Sequence, residues 1–204
     1  MKFRNLFLSI LMLVIAGVSV AQESYPGYRN MQQQIQSPGP AAILQQGLSE
    51  LTRFMNQEQR PGRKQLMYFA ESQIAPYFDF QYMARWAGGQ RWRLMDDRQR
   101  QKFGQQLKSQ FLAAMIQKLS RFEGQRMRVL RQRRARNGQV TVAVAIQNPQ
   151  GYPSKLDFRF YRSVDGWKVF DVVANGSSAV MYYRKQFNRM MQRSRGRGSY
   201  SLPR

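Results

Sequence analysis

The chain has 204 residues, 33 of them Lys or Arg against 11 Asp or Glu, giving a formal net charge of +22. It contains neither cysteine nor histidine, which excludes a disulfide framework, the usual zinc, copper and haem ligand sets, and nucleophiles that depend on a Ser-His or Cys-His pair. Several of the acids have evident structural positions; counting leaves a hydrolytic carboxylate pair open, but the composition points away from an enzyme.

Lys2 and Arg4 precede the apolar stretch Leu6 to Val18 and the small-residue site Ser19-Val20-Ala21. This is the layout of a secretory signal peptide, and its apolar part is short for a bilayer span. Residues 1–21 are therefore expected to be cleaved, leaving a chain that starts at Gln22 and carries +20, since Lys2 and Arg4 leave with no acid. A strongly basic chain ordinarily points to nucleic acid; export removes that partner, and none is expected. No later segment resembles a membrane span.

Residues 22–40, rich in Gln, Pro and Gly, read as a flexible leader. From Pro40, Ile43, Leu44, Leu48, Leu51, Phe54 and Met55 recur at helical spacing, and Pro61-Gly62 ends that helix. A second run, Leu66 to Ile74, stops before Pro76. Asp79 can cap a short helix carrying Phe80, Met83 and Trp86, terminated by Gly88-Gly89. The longest helix should start at Asp96, with Gln99 completing a capping box. Phe103, Leu107, Phe111, Ala114, Met115, Leu119 and Phe122 then form its apolar stripe, with Gly124 past the end.

The period then changes from helix to strand. Val140, Val142, Val144 and Ile146 alternate with small or polar residues, as do Leu156, Phe158 and Phe160 with Asp157, Arg159 and Tyr161. Four strands are expected, at about 126–135, 139–147, 155–163 and 167–174. A three-residue loop at Val164-Asp165-Gly166 pairs Phe160 with Phe170, Phe158 with Val172 and Arg159 with Asp171. The same loop at Arg136-Asn137-Gly138 pairs Leu130 with Val144 and sends Arg131 and Arg133 to the other face. Ser177 or Ser178 can cap a last helix carrying Val180, Tyr183, Phe187 and Met190. Residues 193–204, rich in Arg, Gly and Ser, read as a disordered basic tail.

Two stretches are more specific than such patterning. One runs Pro76-Tyr77-Phe78-Asp79-Phe80, Met83-Ala84, Gly89-Gln90-Arg91-Trp92-Arg93, Asp96, Gln99-Arg100 and Phe103. The other is Leu156-Asp157-Phe158-Arg159, Gly166-Trp167-Lys168-Val169-Phe170-Asp171-Val172, Gly176-Ser177-Ser178 and Tyr183-Arg184-Lys185-Gln186-Phe187. Together they resemble the MlaC-type, or toluene-tolerance, family of periplasmic phospholipid carriers over about residues 40–192. Gly88, Met115 and Asn175 depart from the residues usual there.

The resemblance implies an α+β fold over residues 41–192: a twisted four-stranded antiparallel sheet with several helices packed on one face around an apolar lipid cavity. It implies phospholipid as cargo, no other cofactor, and shuttling between an outer-membrane lipoprotein–porin complex and an inner-membrane ABC transporter, which would maintain outer-membrane asymmetry. Some relatives are associated with hopanoids, a second cargo class. For a cavity between the long helix and the inner sheet face, the expected lining is a subset of Phe103, Leu107, Phe111, Met115, Val142, Val144, Phe158 and Phe160, with Tyr183 from the last-helix motif. Each would serve equally as ordinary core. The twelve methionines suit an adaptable lining or plain core filling, and Trp86 and Trp92 suit a cavity mouth or helix packing.

Arg126, Arg128, Arg131, Arg133, Arg134 and Arg136 form the densest charge cluster. They read either as a solvated edge hairpin protected against edge pairing or as a surface, centred on Arg131, Arg133 and Arg134, for anionic membranes or acidic partners. Two rivals from other classes are a secreted basic protein binding an anionic polymer, such as lipopolysaccharide or extracellular nucleic acid, and a membrane adaptor without cargo.

Overall fold

The first helix among the described residues, α1 (Pro40–Met55), begins where proline can occupy the opening turn without losing a hydrogen bond. The computed structural model describes residues 38–147 and 151–197; the signal segment 1–21, nearly all of the leader and residues 198–204 lie outside the described residues. Helix α1 stops at Asn56, before Pro61. Gly62 opens α2 (Arg63–Phe69), its amide donating to Gln65 Oε1 at 2.8 Å. The chain then widens into a π-helical turn, Ala70–Ile74, and tightens into a 3-10 turn, Ala75–Tyr77, which takes up Pro76.

Asp79 caps α3 (Phe80–Gly88), accepting from the Tyr82 amide at 2.8 Å. Gly89, at φ +57° and ψ −131°, ends that helix in a conformation that favours glycine. A 3-10 stretch, Gly89–Leu94, leads to α4 (Asp97–Leu119), whose capping box forms as expected. Asp96 accepts from the Gln99 amide at 2.7 Å, and Gln99 accepts from the Asp96 amide at 3.1 Å.

The apolar stripe on α4 differs from the expected one. Leu107 is buried, but so are Gly104, Leu112 and Ile116, while Ala114 is exposed and Phe103, Phe111, Met115 and Leu119 are half-buried. Helix α4 packs against both α3 and α2. Leu107 joins the α3 cluster, and Leu112 and Ile116 join Leu66 of α2. A helix clasped on two sides has no single buried line.

Strands β1 (Met127–Arg134), β2 (Val140–Ile146), β3 (Ser154–Ser163) and β4 (Gly166–Ala174) form an antiparallel meander, as the alternation requires. The sheet has a fifth strand where four were expected: β5 (Ser177–Ser178) pairs with the end of β4. Asn175 at φ +47° and Gly176 at φ +84° make the two-residue turn between them, the backbone for which Asn-Gly is the favoured pair.

Two bulges correct the expected register. The loop Arg136-Asn137-Gly138 forms, with Arg134 opposite Val140, the Ala135 amide donating to the Gln139 carbonyl at 2.8 Å, and Gly138 at φ +79°. Arg131 and Arg133 lie opposite Ala143 and Thr141, off the face of Val140 and Val142. Leu130 does not pair with Val144, however; a bulge there gives that place to Val129 and leaves Leu130 exposed.

At the second turn Phe158 pairs with Val172 and Arg159 with Asp171, but Phe160 lies opposite Val169 and not Phe170. The loop shortens to Val164-Asp165 between the paired Ser163 and Gly166, and Phe170 becomes the extra residue of a bulge. The bulge lets β4 bury three successive side chains, Val169, Phe170 and Asp171. Val169 joins the sheet-face core and Phe170 the helical core, which strict alternation would forbid.

Phe78 bridges Val169 in parallel sense, and the Asp79 amide donates to the Val169 carbonyl at 2.9 Å, covering part of the β4 edge. Ser178 caps α5 (Ala179–Arg197), accepting from the Met181 amide at 3.2 Å. This helix runs past the boundary expected at residue 192.

Candidate functional site

The expected site residues fall into three packed clusters. Val142, Val144 and Phe160 are buried and Phe158 half-buried on the sheet face that Leu44 of α1 covers. Leu107 and Tyr183 are buried, with Phe103 against them, where α3, α4 and α5 meet. Met115 packs beside Leu112 and Ile116 in the third cluster, under α2. The structure thus divides the expected lining residues, some buried and some half-buried, among the three cores.

What joins the cores is a group of three rings, of which only Phe111 was among the expected lining residues. Phe78 packs on both the sheet-face and helical clusters, and Phe80 and Phe111 pack on both helical ones. Their ring centroids lie 5.7 Å (Phe78–Phe80), 5.1 Å (Phe78–Phe111) and 5.7 Å (Phe80–Phe111) apart, yet each ring is only half-buried. Phe158, central in β3, also keeps accessible surface. The Pro76–Phe80 motif, which sets an aromatic on each side of the Asp79 cap, was the available signal.

Phe78 and Phe80 open on a cleft of about 400 Å³, completed by Asp79, Gln81, Gln105, Lys108, Ser163, Asp165 and Lys168. A second cleft, of about 860 Å³, separates α2 from α4 over Leu66, Leu112 and Ile116. Arg60 lies at its rim and closes the end of α4 by donating to the carbonyls of Ser120 (3.0 Å) and Phe122 (2.8 Å). The expected lipid-lining residues contribute to neither cleft wall.

The interior polar groups are structural. Asp171, 2% exposed, accepts from Arg159 at 3.2 Å, from the Ser178 hydroxyl at 2.7 Å and from the Val180 amide at 3.1 Å. Tyr161 donates to Asp79; burial first, and then this bond to a carboxylate, raises its phenol well above the usual range. Burial and neighbouring Tyr182 push Tyr183 up to about 12. Arg184 donates to the Trp86 carbonyl near the end of α3, where a cation also suits the helix dipole. Among the described residues every buried side-chain nitrogen and oxygen is hydrogen-bonded, no group of three or more metal-ligating side chains occurs, and no helix is long and apolar enough to cross a membrane.

Arg131, Arg133 and Arg134 are exposed on β1, the edge strand of the sheet, and none forms an ion pair with a described residue. Arg126, Arg128 and Arg136 are exposed beside them.

The fold is thus an open antiparallel sheet with helices sharing its core, carrying an aromatic junction and a basic edge. The chain belongs to the MlaC protein family, whose model matches residues 45–199. A solved structure of the phospholipid-binding protein from Ralstonia solanacearum, in complex with a phospholipid, has the same fold, with a TM-score of 0.68 at 21% identity over 77% of this chain and 89% of that one. Among curated proteins no sequence matches this chain.

Proposed function

We propose that the protein is a periplasmic carrier that shelters the acyl chains of a phospholipid and shuttles it between the outer and inner membranes. Membership of the MlaC family and the fold shared with a phospholipid-binding protein support a binding and transport role over an enzymatic one. The observation that carries the reading is the half-buried junction of Phe78, Phe80 and Phe111, with Phe158 on the adjoining sheet face. Rings that join three cores and still keep surface offer acyl chains an apolar place to insert. A diacyl lipid has about 30 methylenes worth about 0.8 kcal/mol each on burial, so crossing water without a carrier is very slow.

In this reading Phe103, Leu107, Phe111, Met115, Val142, Val144, Phe158, Phe160 and Tyr183 supply the walls that part to admit the chains. Arg131, Arg133 and Arg134 meet anionic membrane or acidic surfaces of the partner complexes, an inner-membrane ABC transporter and an outer-membrane lipoprotein–porin assembly. The cleaved signal peptide, residues 1–21, delivers the chain to the periplasm.

Mild extraction of the purified protein followed by lipid mass spectrometry tests this. About one phospholipid per chain is expected, and Val144→Glu should reduce it while the protein stays soluble and folded. Recovery of nucleic acid or lipopolysaccharide with no phospholipid would favour the anionic-polymer rival and defeat the carrier reading.

A further inference from the structure

The cleft over Phe78 and Phe80 is unusual for this chain in its balance of charge. Only 11 of the 204 residues are acidic and 33 are basic, yet the nine residues of its lining include two acids, Asp79 and Asp165, and two lysines, Lys108 and Lys168. A site for a bare anion would carry an excess of cations, which this sequence has in abundance. The two signs also differ in availability. Asp79 is committed, accepting from the Tyr82 amide with one oxygen and from the Tyr161 hydroxyl with the other. Lys168 donates to the Pro76 carbonyl at 2.8 Å, which leaves two ammonium hydrogens for other acceptors. Half-buried Lys108 makes no hydrogen bond or ion pair among the described residues, and neither does the carboxylate of exposed Asp165.

We infer that this cleft is a headgroup subsite for a zwitterionic aminophospholipid, with Lys108 and Lys168 holding the phosphate and Asp165 the ammonium. The inference rests on the carrier reading above and adds the orientation and headgroup class of the cargo. The lining supports it: Phe78 and Phe80, which border the cleft, have ring centroids 5.1 Å and 5.7 Å from that of Phe111 at the aromatic junction. A lipid whose phosphate sits between the lysines therefore has its glycerol over those two rings and its chains directed past them into the apolar interior. The volume of about 400 Å³ lies within the range of roughly 300–1,000 Å³ found for small-molecule sites. Gln81, Gln105 and the Ser163 hydroxyl add neutral polar groups around the charged ones.

The test is competitive loading of the delipidated protein with phosphatidylethanolamine, phosphatidylglycerol and diacylglycerol of identical chains, read by native mass spectrometry. Wild type should prefer phosphatidylethanolamine to phosphatidylglycerol, and both to diacylglycerol. The pair Lys108→Gln with Lys168→Gln should cut the preference for phospholipid over diacylglycerol about ten-fold, as expected for losing charge-assisted bonds to phosphate. Asp165→Asn should cut the ethanolamine-over-glycerol preference about three-fold, as expected for an exposed ion pair. Lys108→Gln alone, which breaks no bond among the described residues, covers the case in which the double variant misfolds, and should show part of the phosphate effect. Soluble glycerophosphoethanolamine should not displace lipid; displacement would make the cleft a site for a free phosphate ester and overturn the inference. A full lipid load with unchanged selectivity in the variants overturns the headgroup subsite alone. Failure of wild type to load any of the three lipids overturns the carrier reading with it.

Discussion

Tyr161 in β3 donates its phenolic hydrogen to Asp79, 82 positions earlier, while the other oxygen of that carboxylate caps α3. The Tyr161 ring also stacks on Tyr82 at 4.2 Å and 18°. One carboxylate thus sets both the start of a helix and its position against the sheet. Removing the hydroxyl loses one bond, whereas removing the carboxylate loses the bond and the cap. Tyr161→Phe should cost about 1 kcal/mol and Asp79→Ala about 2 kcal/mol in urea unfolding. Equal costs would show that the cap and the cross-link are not independent uses of Asp79.

The same bond gives the fold an alkaline limit. Folding raises the Tyr161 phenol through burial and the bond to Asp79, and raises Tyr183 to about 12 through burial and Tyr182. In the unfolded chain both return to about 10. Above that pH the unfolded state binds fewer protons than the folded one, so stability falls as pH rises. The contribution should be complete below pH 10 and lost for Tyr183 by about pH 12. Tyrosinate absorbance should show these two rings ionising last; early ionisation of Tyr161 in folded protein would contradict its bond to Asp79.

Asp171 is the buried counterpart. Asp171→Ala leaves the Val180 amide and the Ser178 hydroxyl without their acceptor at the start of α5 and should cost about 3 kcal/mol. Arg159→Ala should cost less than about 1 kcal/mol, because the arginine is 47% exposed and contributes a screened pair. Thermal melts of the two variants check the ordering. Comparable losses would make the ion pair, and not the helix start, the main role of Asp171.

These features differ in how far the sequence discloses them. Asp79, Asp96 and Gln99 were readable because a cap depends on residues within one turn, and the strands because Val140, Val142 and Val144 repeat at period two. The two bulges were not, since they arise from tertiary demand: Phe170 is wanted by the helices and Val169 by the sheet. Helix α4 misled because a single stripe assumes one partner, and Leu112 and Ile116 face a second. The fifth strand had a local signal in Asn175-Gly176, but two residues, Ser177 and Ser178, carry no alternation to read. Among candidate site residues the interior ones were legible as apolar, whereas the junction through Phe78 depends on which cores meet there.

Docking and cargo should separate under salt. Arg131, Arg133 and Arg134 are exposed on edge strand β1 and form no ion pair among the described residues, so their attraction to anionic membranes or acidic partners is open to screening. At physiological ionic strength that attraction decays over about 8 Å, and encounter rates should fall as salt rises. Acyl chains held by apolar burial carry no charge to screen, so bound lipid should change little over the same series. Neutralising the three arginines together should slow transfer of a labelled lipid to acceptor vesicles containing phosphatidylglycerol, flatten the salt dependence, and leave the lipid content per chain intact. Transfer and retained lipid are measured side by side. A triple variant that sheds its lipid yet docks at the wild-type rate would assign these arginines to the cargo site and remove them from the docking surface.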